Sequence, residues 1–252
     1  NYLPKQYNLD SKLVIKHNYL KEQFSNYKTI FSKLEKVVQK GDYTLGNKVN
    51  EFESKISKLL NAKYVVALGS GTDALMLSLK ALGVKEGDEV ITTPYTFYAT
   101  IGAIVTAGAK PIFVDVTDDY NIDPNLIEKK ITKKTKAILP VHWSGRICDM
   151  NKIMKVAKKY SIPVVEDACH AITATYKNKF AGNFGTFGCF SLHPLKNLNA
   201  WGDGGFLLTN SKKYYEKMLL LRNHGLVSRN VNKIFGYNSR LDTVQAVVAI
   251  EL

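Results

Sequence analysis

An alternation of short apolar strands with helical segments is the feature that most constrains the fold of this chain. Strands are predicted at residues 64–68, 89–93, 111–116, 137–141 and 163–166. Helical spacing of apolar residues follows at 74–82, 99–107 and 150–160. Because parallel strands need crossover connections, this pattern predicts an α/β fold of three layers, in which helices cover both faces of a mostly parallel sheet.

The regions on either side of this alternation are organised differently. Two amphipathic helices are predicted between residues 19 and 60, with a break near residues 41–46. Glycines interrupt short apolar runs after residue 168, helical spacing returns at 214–221, and a last apolar pattern at 244–252 predicts a helix still in progress. We therefore expect an N-terminal segment and helix at 1–45 and a single large domain at 46–252.

Composition excludes several classes of protein. The chain has 252 residues, of which 45% are hydrophobic and 23% charged, so it is not a disordered chain. No apolar run is long enough to cross a membrane, so no membrane association is expected. The three cysteines lack the paired spacing of a metal site, and reduced thiols favour a cytoplasmic location. The net charge is +13, but only four of the basic residues are arginines, and the sequence has no recognisable nucleic-acid-binding module. An anionic small-molecule substrate is therefore favoured over nucleic acid.

Two strand ends carry residues of possible chemical importance. Ser70, Gly71 and Thr72 follow the first strand at a predicted helix N-terminus, where free backbone N–H groups favour a phosphate. The same residue types also cap helices without any ligand. Asp167 ends the fifth strand, and it is either a catalytic carboxylate or an exposed or ion-paired one. Ligands of open α/β sheets bind beyond the carboxyl ends of the strands, so both positions are candidates for a site.

Lys196 lies in an apolar stretch of small residues, followed by the glycine-rich residues 202–205. Burial of its amine would lower the lysine pKa and make it a better nucleophile, although most lysines of this chain belong on the surface. A phosphate-binding turn, a strand-end carboxylate and a buried lysine are together what pyridoxal 5′-phosphate requires. Phe97 follows the second strand and could cover the cofactor ring or belong to the core.

The sequence resembles the DegT/DnrJ/StrS-type sugar aminotransferases, which are fold-type I pyridoxal-phosphate enzymes acting on keto sugars attached to nucleotides. The matching blocks occur in the expected order from about residue 19 to residue 252, at 43–46, 70–75, 87–91, 166–168, 190–198, 202–205 and 236–242. In this family a small C-terminal domain follows, and this chain stops where that domain should begin.

The resemblance implies a role for each matching residue. Lys196 would form the imine with the cofactor and carry the proton between the cofactor's C4′ and the sugar carbon. Asp167 would pair with the pyridine nitrogen. The remaining cofactor contacts would be Gly71, Thr72 and Ser191 at the phosphate, Phe97 on the ring face, His170 near the 3′-hydroxyl and Asn238 at the phosphate in the neighbouring subunit.

The resemblance also implies a function and an assembly. The enzyme would transfer an amino group from glutamate to a nucleotide-linked keto sugar for polysaccharide, lipopolysaccharide or glycan synthesis. It would act as a cytoplasmic homodimer with shared active sites.

Two alternatives stay open at this point. A catalytically silent binding or regulatory homologue would keep the fold without the activity. A pyridoxal-phosphate-dependent sugar dehydratase is the second alternative. In relatives with that activity a histidine replaces the lysine, so Lys196 argues against it. His142 and His193 are candidates for either a substrate contact or a structural role, whereas Asp203 is interpreted as a turn residue.

Overall fold

The computed structural model describes residues 18–252. Within this range the helices are α1 (Leu20–Gln23), α2 (Tyr27–Lys40), α3 (Asn47–Leu59), α4 (Gly71–Ala81), α5 (Tyr98–Thr106), α6 (Pro124–Ile127), α7 (Met150–Tyr160), α8 (Lys212–Leu221) and α9 (Thr243–Ile250). The strands are β1 (Tyr64–Leu68), β2 (Glu89–Thr92), β3 (Lys110–Phe113), β4 (Thr135–Ile138), β5 (Val165–Asp167), β6 (Thr175–Tyr176), β7 (Lys179–Phe180), β8 (Phe187–Ser191), β9 (Gly205–Thr209), β10 (Leu226–Ser228) and β11 (Val231–Asn232). None of these helices has the length and apolar character needed to cross a bilayer.

Seven of these strands form one layer, in the order β1-β9-β8-β5-β4-β2-β3. Regular ladders build the groups β1-β9-β8-β5 and β3-β2-β4. Parallel bridges between Ile138 and Val164 and between Val141 and Asp167 join the two groups. The Asp167 amide donates to the Pro140 carbonyl at 2.9 Å, and the His142 amide donates to the Asp167 carbonyl at 3.0 Å. The sheet is mostly parallel, as predicted, except that β9 runs antiparallel to both of its neighbours.

Helices cover both faces of this sheet, and the side chains of β1 show how. Val66 and Leu68 point to one face, where they pack in a core with residues of α4, α5 and α8. Val65 and Ala67 point to the other face, where they join residues of α3 and α9. Alternate residues of a strand lie on opposite faces, so a strand buried on both sides reads as an unbroken apolar run. The three-layer α/β/α prediction is confirmed.

The N-terminal helices pack on the outside of this domain. Ile30 and Val37 of α2 are buried against Val247 and Val248 of α9. The predicted segment 1–45 lies partly outside the described residues, and its boundary with the domain at 46–252 stays a prediction.

The structure shifts several predicted boundaries. Helix α4 begins three residues before the predicted start at residue 74, because the Ser70 hydroxyl accepts a hydrogen bond from the Asp73 amide and caps the helix there. The strand predicted at 137–141 occupies 135–138, and the strand predicted at 111–116 occupies 110–113. The last helix ends at Ile250 rather than continuing to residue 252. Two helices were predicted between residues 19 and 60, and the structure contains a short third one, α1.

Candidate active site

The carboxyl ends of β1, β2, β5 and β8 meet at one edge of the sheet, and a cavity of about 380 Å³ opens there. Strand β9 begins at this edge, since Gly205 pairs with both Leu68 and Ser191. The cavity is lined by Ser70, Gly71, Thr72, Leu75, Thr96, Phe97, Ala99, Thr100, Val141, His142, Trp143, Asp167, Cys169, His170, Ser191, His193, Leu195, Lys196 and Asp203. The topology therefore brings together the turn, the carboxylate and the lysine that the sequence indicated.

The turn between β1 and α4 presents a helix N-terminus to this cavity. Ser70 caps the helix, and the amides of Gly71 and Thr72 precede its first internal hydrogen bond, so they have no partner among the described residues. An added Cβ on Gly71 would lie 2.8 Å from Ser191 Cβ and 2.9 Å from Cys169 Sγ. A Cβ on Gly205 would overlap the Ser70 carbonyl carbon. Glycine is thus required at both positions because β8 and β9 approach the turn so closely. The capping role of Ser70 is present, and it leaves the two cavity-facing amides free for an anion.

Asp167 lies at the base of the cavity with its carboxylate fixed on both oxygens. The residue is 6% exposed. Its Oδ2 accepts a hydrogen bond from the Thr100 hydroxyl at 2.8 Å, and its Oδ1 accepts one from the Cys169 amide at 3.2 Å. Because the Thr100 proton is used in this way, the Thr96 hydroxyl donates to Thr100 at 2.7 Å. No ion pair to Asp167 is present within residues 18–252, so the alternative of a structural salt bridge is not supported there.

Lys196 is half-buried in the loop 192–204 that connects the antiparallel strands β8 and β9. The Lys196 amide donates to the His193 carbonyl at 2.8 Å, and Asn199 Nδ2 donates to the Lys196 carbonyl at 3.1 Å. The Ala200 amide donates to the Leu192 carbonyl at 2.8 Å. These bonds form a compact turn that places Lys196 against the cavity rather than on the outer surface.

Two groups beside Asp167 have pKa values that the site shifts. Burial, followed by the positive charge of Lys196, lowers the pKa of His170, so its imidazole is neutral at pH 7. Burial and the Asp167 carboxylate raise the pKa of the Cys169 thiol well above its ordinary value. Cys169 is therefore a protonated thiol and not a nucleophile at neutral pH. His170 also contacts the Trp143 ring, with ring centroids 5.4 Å apart.

The other predicted cofactor contacts are divided between the cavity and the surface. Phe97 is 53% exposed and lines the cavity, so a position in the core is excluded and its place on the cofactor ring stays a prediction. Thr72, Ser191 and His170 also line the cavity. Asn238 is exposed and does not line it among the described residues. A role for Asn238 in the neighbouring subunit stays a prediction.

His142 has the structural role that the sequence left open. Its ring is fully buried, with Nε2 3.0 Å from Glu166 Oε2, and Nδ1 accepts from the Cys148 amide at 3.3 Å. Glu166 in turn accepts from the amides of the loop after β7, at Gly182, Phe184 and Gly185. Both ring nitrogens of His142 are used in hydrogen bonds inside the protein.

His193, by contrast, is exposed at the cavity mouth, where its Nδ1 accepts from the Leu195 amide at 3.2 Å.

Sequence reasoning missed the hydroxyl pair Thr96 and Thr100 and the cavity-lining residues Trp143 and Cys169 as parts of the site. Thr100 is the third residue of α5, and Thr96 lies four residues earlier in the loop before the helix. Nothing local to Thr100 indicates Asp167, 67 residues further on, as its partner. Asp203, interpreted as a turn residue, is exposed and lines the cavity. Residues 18–252 contain no cluster of three or more His, Cys, Asp or Glu side chains suited to a metal ion.

Comparison with known proteins places this site in a family. Residues 25–251 match the DegT/DnrJ/EryC1/StrS aminotransferase family. The chain belongs to this family. A pleiotropic regulatory protein of Geobacillus stearothermophilus is 44% identical over 91% of the chain. The UDP-2-acetamido-2-deoxy-3-oxo-D-glucuronate aminotransferase of Pseudomonas aeruginosa is 41% identical over 86% of the chain.

One similar solved structure carries a bound cofactor. The Bacillus subtilis protein NtdA, crystallised with PMP, superposes with a TM-score of 0.85 at 37% identity, over 90% of this chain and 52% of NtdA. The chain spans 62% of the Geobacillus relative and 61% of the Pseudomonas relative. It therefore corresponds to about three-fifths of the length of these two relatives.

Proposed function

We propose that this chain forms the cofactor-binding part of a pyridoxal-phosphate-dependent aminotransferase acting on a nucleotide-linked keto sugar. The observation that carries the proposal is the convergence of Lys196, Asp167 and the α4 N-terminus on one cavity. Three different segments of the chain supply these groups, so their meeting is a property of the fold and not of a single motif. Family membership and the named aminotransferase relative support the same reaction class.

The residues present fit the cofactor. A phosphate suits the free amides of Gly71 and Thr72, because the helix dipole adds to their hydrogen bonds. A protonated pyridine nitrogen suits Asp167, which is buried and oriented by Thr100. The cavity volume of about 380 Å³ is within the range of small-molecule sites. Ser191 lies beside Gly71 and adds a hydroxyl at the phosphate end.

Each residue would contribute a distinct step. When bound, pyridoxal phosphate withdraws electrons from the carbon that carries the amine, so that this carbon can lose a proton. Lys196 Nζ would hold the cofactor covalently before substrate arrives. Once the amino group of glutamate has displaced it from that bond, the free Lys196 amine would move a proton from the α-carbon of glutamate to C4′, and in the second half-reaction from C4′ to the sugar carbon. Asp167 would keep the pyridine nitrogen protonated, and neutral His170 would donate a hydrogen bond at the 3′-hydroxyl.

Substrate and assembly are further parts of the proposal. Glutamate is the proposed amino donor, and the acceptor is a nucleotide-linked keto sugar used in polysaccharide or lipopolysaccharide synthesis. We place the enzyme in the cytoplasm, in keeping with its free cysteines. A homodimer would bring exposed Asn238 to the cofactor phosphate of the partner subunit.

Absorbance spectroscopy of the purified chain with added pyridoxal phosphate tests this proposal. Wild-type protein should develop the visible band of lysine-bound cofactor, and glutamate should remove that band. Lys196→Ala should show neither change and should lower the amino-transfer rate by about 10³-fold or more, since it removes the proton carrier. Lys36→Ala, which changes an exposed lysine of α2, should behave as wild type. A Lys196→Ala protein that keeps the band and the reaction would refute the proposal.

A silent regulatory protein is the second candidate, because one relative is named a pleiotropic regulatory protein. The retained lysine, aspartate and cavity favour an active cofactor site. In the same experiment, a wild-type chain that binds pyridoxal phosphate through Lys196 but gives no response to glutamate would favour the regulatory alternative.

A further inference from the structure

Ser239 lies outside the cavity but touches the phosphate turn from behind. It is 2% exposed. Its hydroxyl accepts a hydrogen bond from the Gly69 amide at 3.2 Å and donates to Asp73 Oδ2 at 2.7 Å. Gly69 is the first residue after β1, and Asp73 is the third residue of α4. One hydroxyl therefore joins the two ends of the turn that presents the amides of Gly71 and Thr72.

Ser239 is itself held by a buried ion pair. The Ser239 amide donates to the Arg222 carbonyl at 3.0 Å. Arg222 Nη1 donates to Glu53 Oε1 at 2.6 Å and to the Ala67 carbonyl at 3.1 Å. Glu53 Oε1 also accepts from the Ala67 amide at 2.8 Å, so the ion pair is attached to β1 just before the turn begins. The Ser239 hydroxyl is thus fixed relative to β1, and its hydrogen bonds to Gly69 and Asp73 hold the turn in the same position relative to β1.

The carboxylate of Asp73 gives this contact an electrostatic consequence. Asp73 is in the first turn of α4, at the same helix end that faces the cavity. A carboxylate free to approach that end would compete with a phosphate for the free amides and would repel it. In the structure, Ser239 holds Oδ2 near Gly69, and Asp73 is not among the described residues that line the cavity. The Ser239 hydroxyl therefore keeps the negative charge of Asp73 away from the amides that would bind the negatively charged phosphate.

We propose that Ser239 is a positioning residue for phosphate binding: it fixes the turn through Gly69 and holds the Asp73 carboxylate away from the amides of Gly71 and Thr72. This inference rests on the proposed function, in which those amides bind the cofactor phosphate. Ser239 touches neither cofactor nor substrate. Its effect is confined to ligands that carry a phosphate.

Binding of two ligands that differ only in the phosphate tests the proposal. Pyridoxal 5′-phosphate and pyridoxal are titrated into the cofactor-free chain, with quenching of tryptophan emission as the readout, since Trp143 lines the cavity. Ser239→Ala should weaken pyridoxal 5′-phosphate binding about tenfold and leave pyridoxal binding unchanged. Ser78→Ala is the matched control. It also removes a buried serine hydroxyl, in this case one in α4 that donates to the Ala74 carbonyl at 2.7 Å. Ser78→Ala should change the affinity for neither ligand.

A double variant isolates the role of the charge. If Asp73 repels the phosphate once Ser239 is lost, Asp73→Asn in the Ser239→Ala background should recover most of the lost affinity, as a positive coupling in the double-mutant cycle. Absence of recovery would overturn the electrostatic part of the proposal. Equal weakening of both ligands by Ser239→Ala would overturn the whole, because it would show a general structural role.

Two further results separate the role of Ser239 from misfolding of a variant and from the phosphate assignment itself. Ser239→Cys fills nearly the same space with a weaker hydrogen-bonding group, so it replaces the alanine variant if thermal unfolding shows that Ser239→Ala does not fold. A wild-type chain that binds pyridoxal as tightly as pyridoxal 5′-phosphate would refute the phosphate assignment under the proposed function. A wild-type preference that persists in Ser239→Ala and Ser239→Cys would refute only the role of Ser239.

Discussion

The phosphate turn, residues 69–73, and the lysine loop, residues 192–204, face the same cavity but are supported in different ways. The turn is enclosed by sheet backbone: Gly71 touches Ser191, and Gly205 touches Ser70 so closely that no Cβ fits. The lysine loop is anchored by the buried residues Leu192 and Ala200, but Leu195 at its tip is 55% exposed. The turn is therefore enclosed by the core of the domain, whereas the tip of the lysine loop lies at the surface.

The outer support of the lysine loop comes from the N-terminal helices. Asn199 Nδ2 donates to Gln23 Oε1 at 2.9 Å. Trp201 contacts the rings of Phe24 and Phe31, with centroids 5.5 and 5.6 Å apart. An anion is held best by amides that do not move, while a lysine that releases and regains a covalent bond has to change position. The different supports match the different tasks proposed for the two segments.

Glycine at position 205 is expected to give the largest effect. Gly205→Ala should lower the free energy of unfolding by about 3 kcal/mol, because backbone of the turn blocks the new Cβ and neither strand nor helix can yield. Urea unfolding measures this loss. Gly102→Ala in α5 is the control: nothing lies within 4 Å of its added Cβ, and alanine should stabilise the helix by about 0.5–1 kcal/mol. Equal effects at the two positions would show that the turn is not tightly enclosed.

Thr100 is expected to give the next effect. Thr100→Val keeps the side-chain shape but removes the hydrogen bond to Asp167, which should cost about 1–2 kcal/mol of unfolding free energy and weaken cofactor binding severalfold. Urea unfolding and cofactor titration measure the two losses. Thr106→Val, at the exposed end of the same helix, should leave both quantities unchanged. Unaltered cofactor binding in Thr100→Val would mean that Asp167 is oriented by the Cys169 amide alone.

Local pattern predicted the phosphate turn much better than the lysine loop. Strand periodicity, small residues and a helix start are all encoded within residues 64–82, so the turn could be located before its partners were known. The antiparallel direction of β9 could not be predicted from the composition of the strand itself. The sequence signal for this direction was the lack of helical spacing between β8 and β9. A parallel connection requires a crossover, and residues 192–204 do not contain one.

Contacts distant in the sequence account for what was missed. Ser239 is 166 residues from Asp73, and Thr100 is 67 residues from Asp167. No spacing rule links such pairs, because they meet only when the sheet order is known. Asn199 and Gln23, 176 residues apart, meet for the same reason. The resemblance to a family implied roles for the reacting residues, but it implied none of these supporting contacts.

Gln23 tests the outer support of the lysine loop. Gln23→Ala removes the hydrogen bond to Asn199 and should change the unfolding free energy by no more than about 0.5 kcal/mol, because Gln23 is exposed. Amide hydrogen exchange in the loop should nevertheless become severalfold faster, since local opening is easier. Gln39→Ala, which removes an exposed glutamine of α2, serves as the control. Unchanged exchange in Gln23→Ala would mean that the loop is held by its internal bonds alone.

His170 lies beside the lysine loop, and its titration gives the smallest predicted effect. Burial, with a further contribution from the Lys196 charge, lowers the pKa of His170 below its ordinary value of 6.5. As pH falls below 6.5, the unfolded chain binds a proton at this position before the folded chain does, so stability present above pH 6.5 is lost on acidification. His170→Gln removes this titration. Wild type should lose more unfolding free energy than His170→Gln between about pH 7.5 and about pH 5.5.

The comparison needs a histidine outside the site. His224→Gln changes an exposed histidine and should keep the wild-type loss of stability over the same pH interval. The variants are unfolded in urea at both pH values without cofactor, so that only groups of the protein titrate. Because Lys196 contributes to the lowered pKa, Lys196→Met should reduce the difference between wild type and His170→Gln. Identical losses in wild type and His170→Gln would show that the imidazole is solvated, and that the lysine loop leaves this side of the cavity open to water.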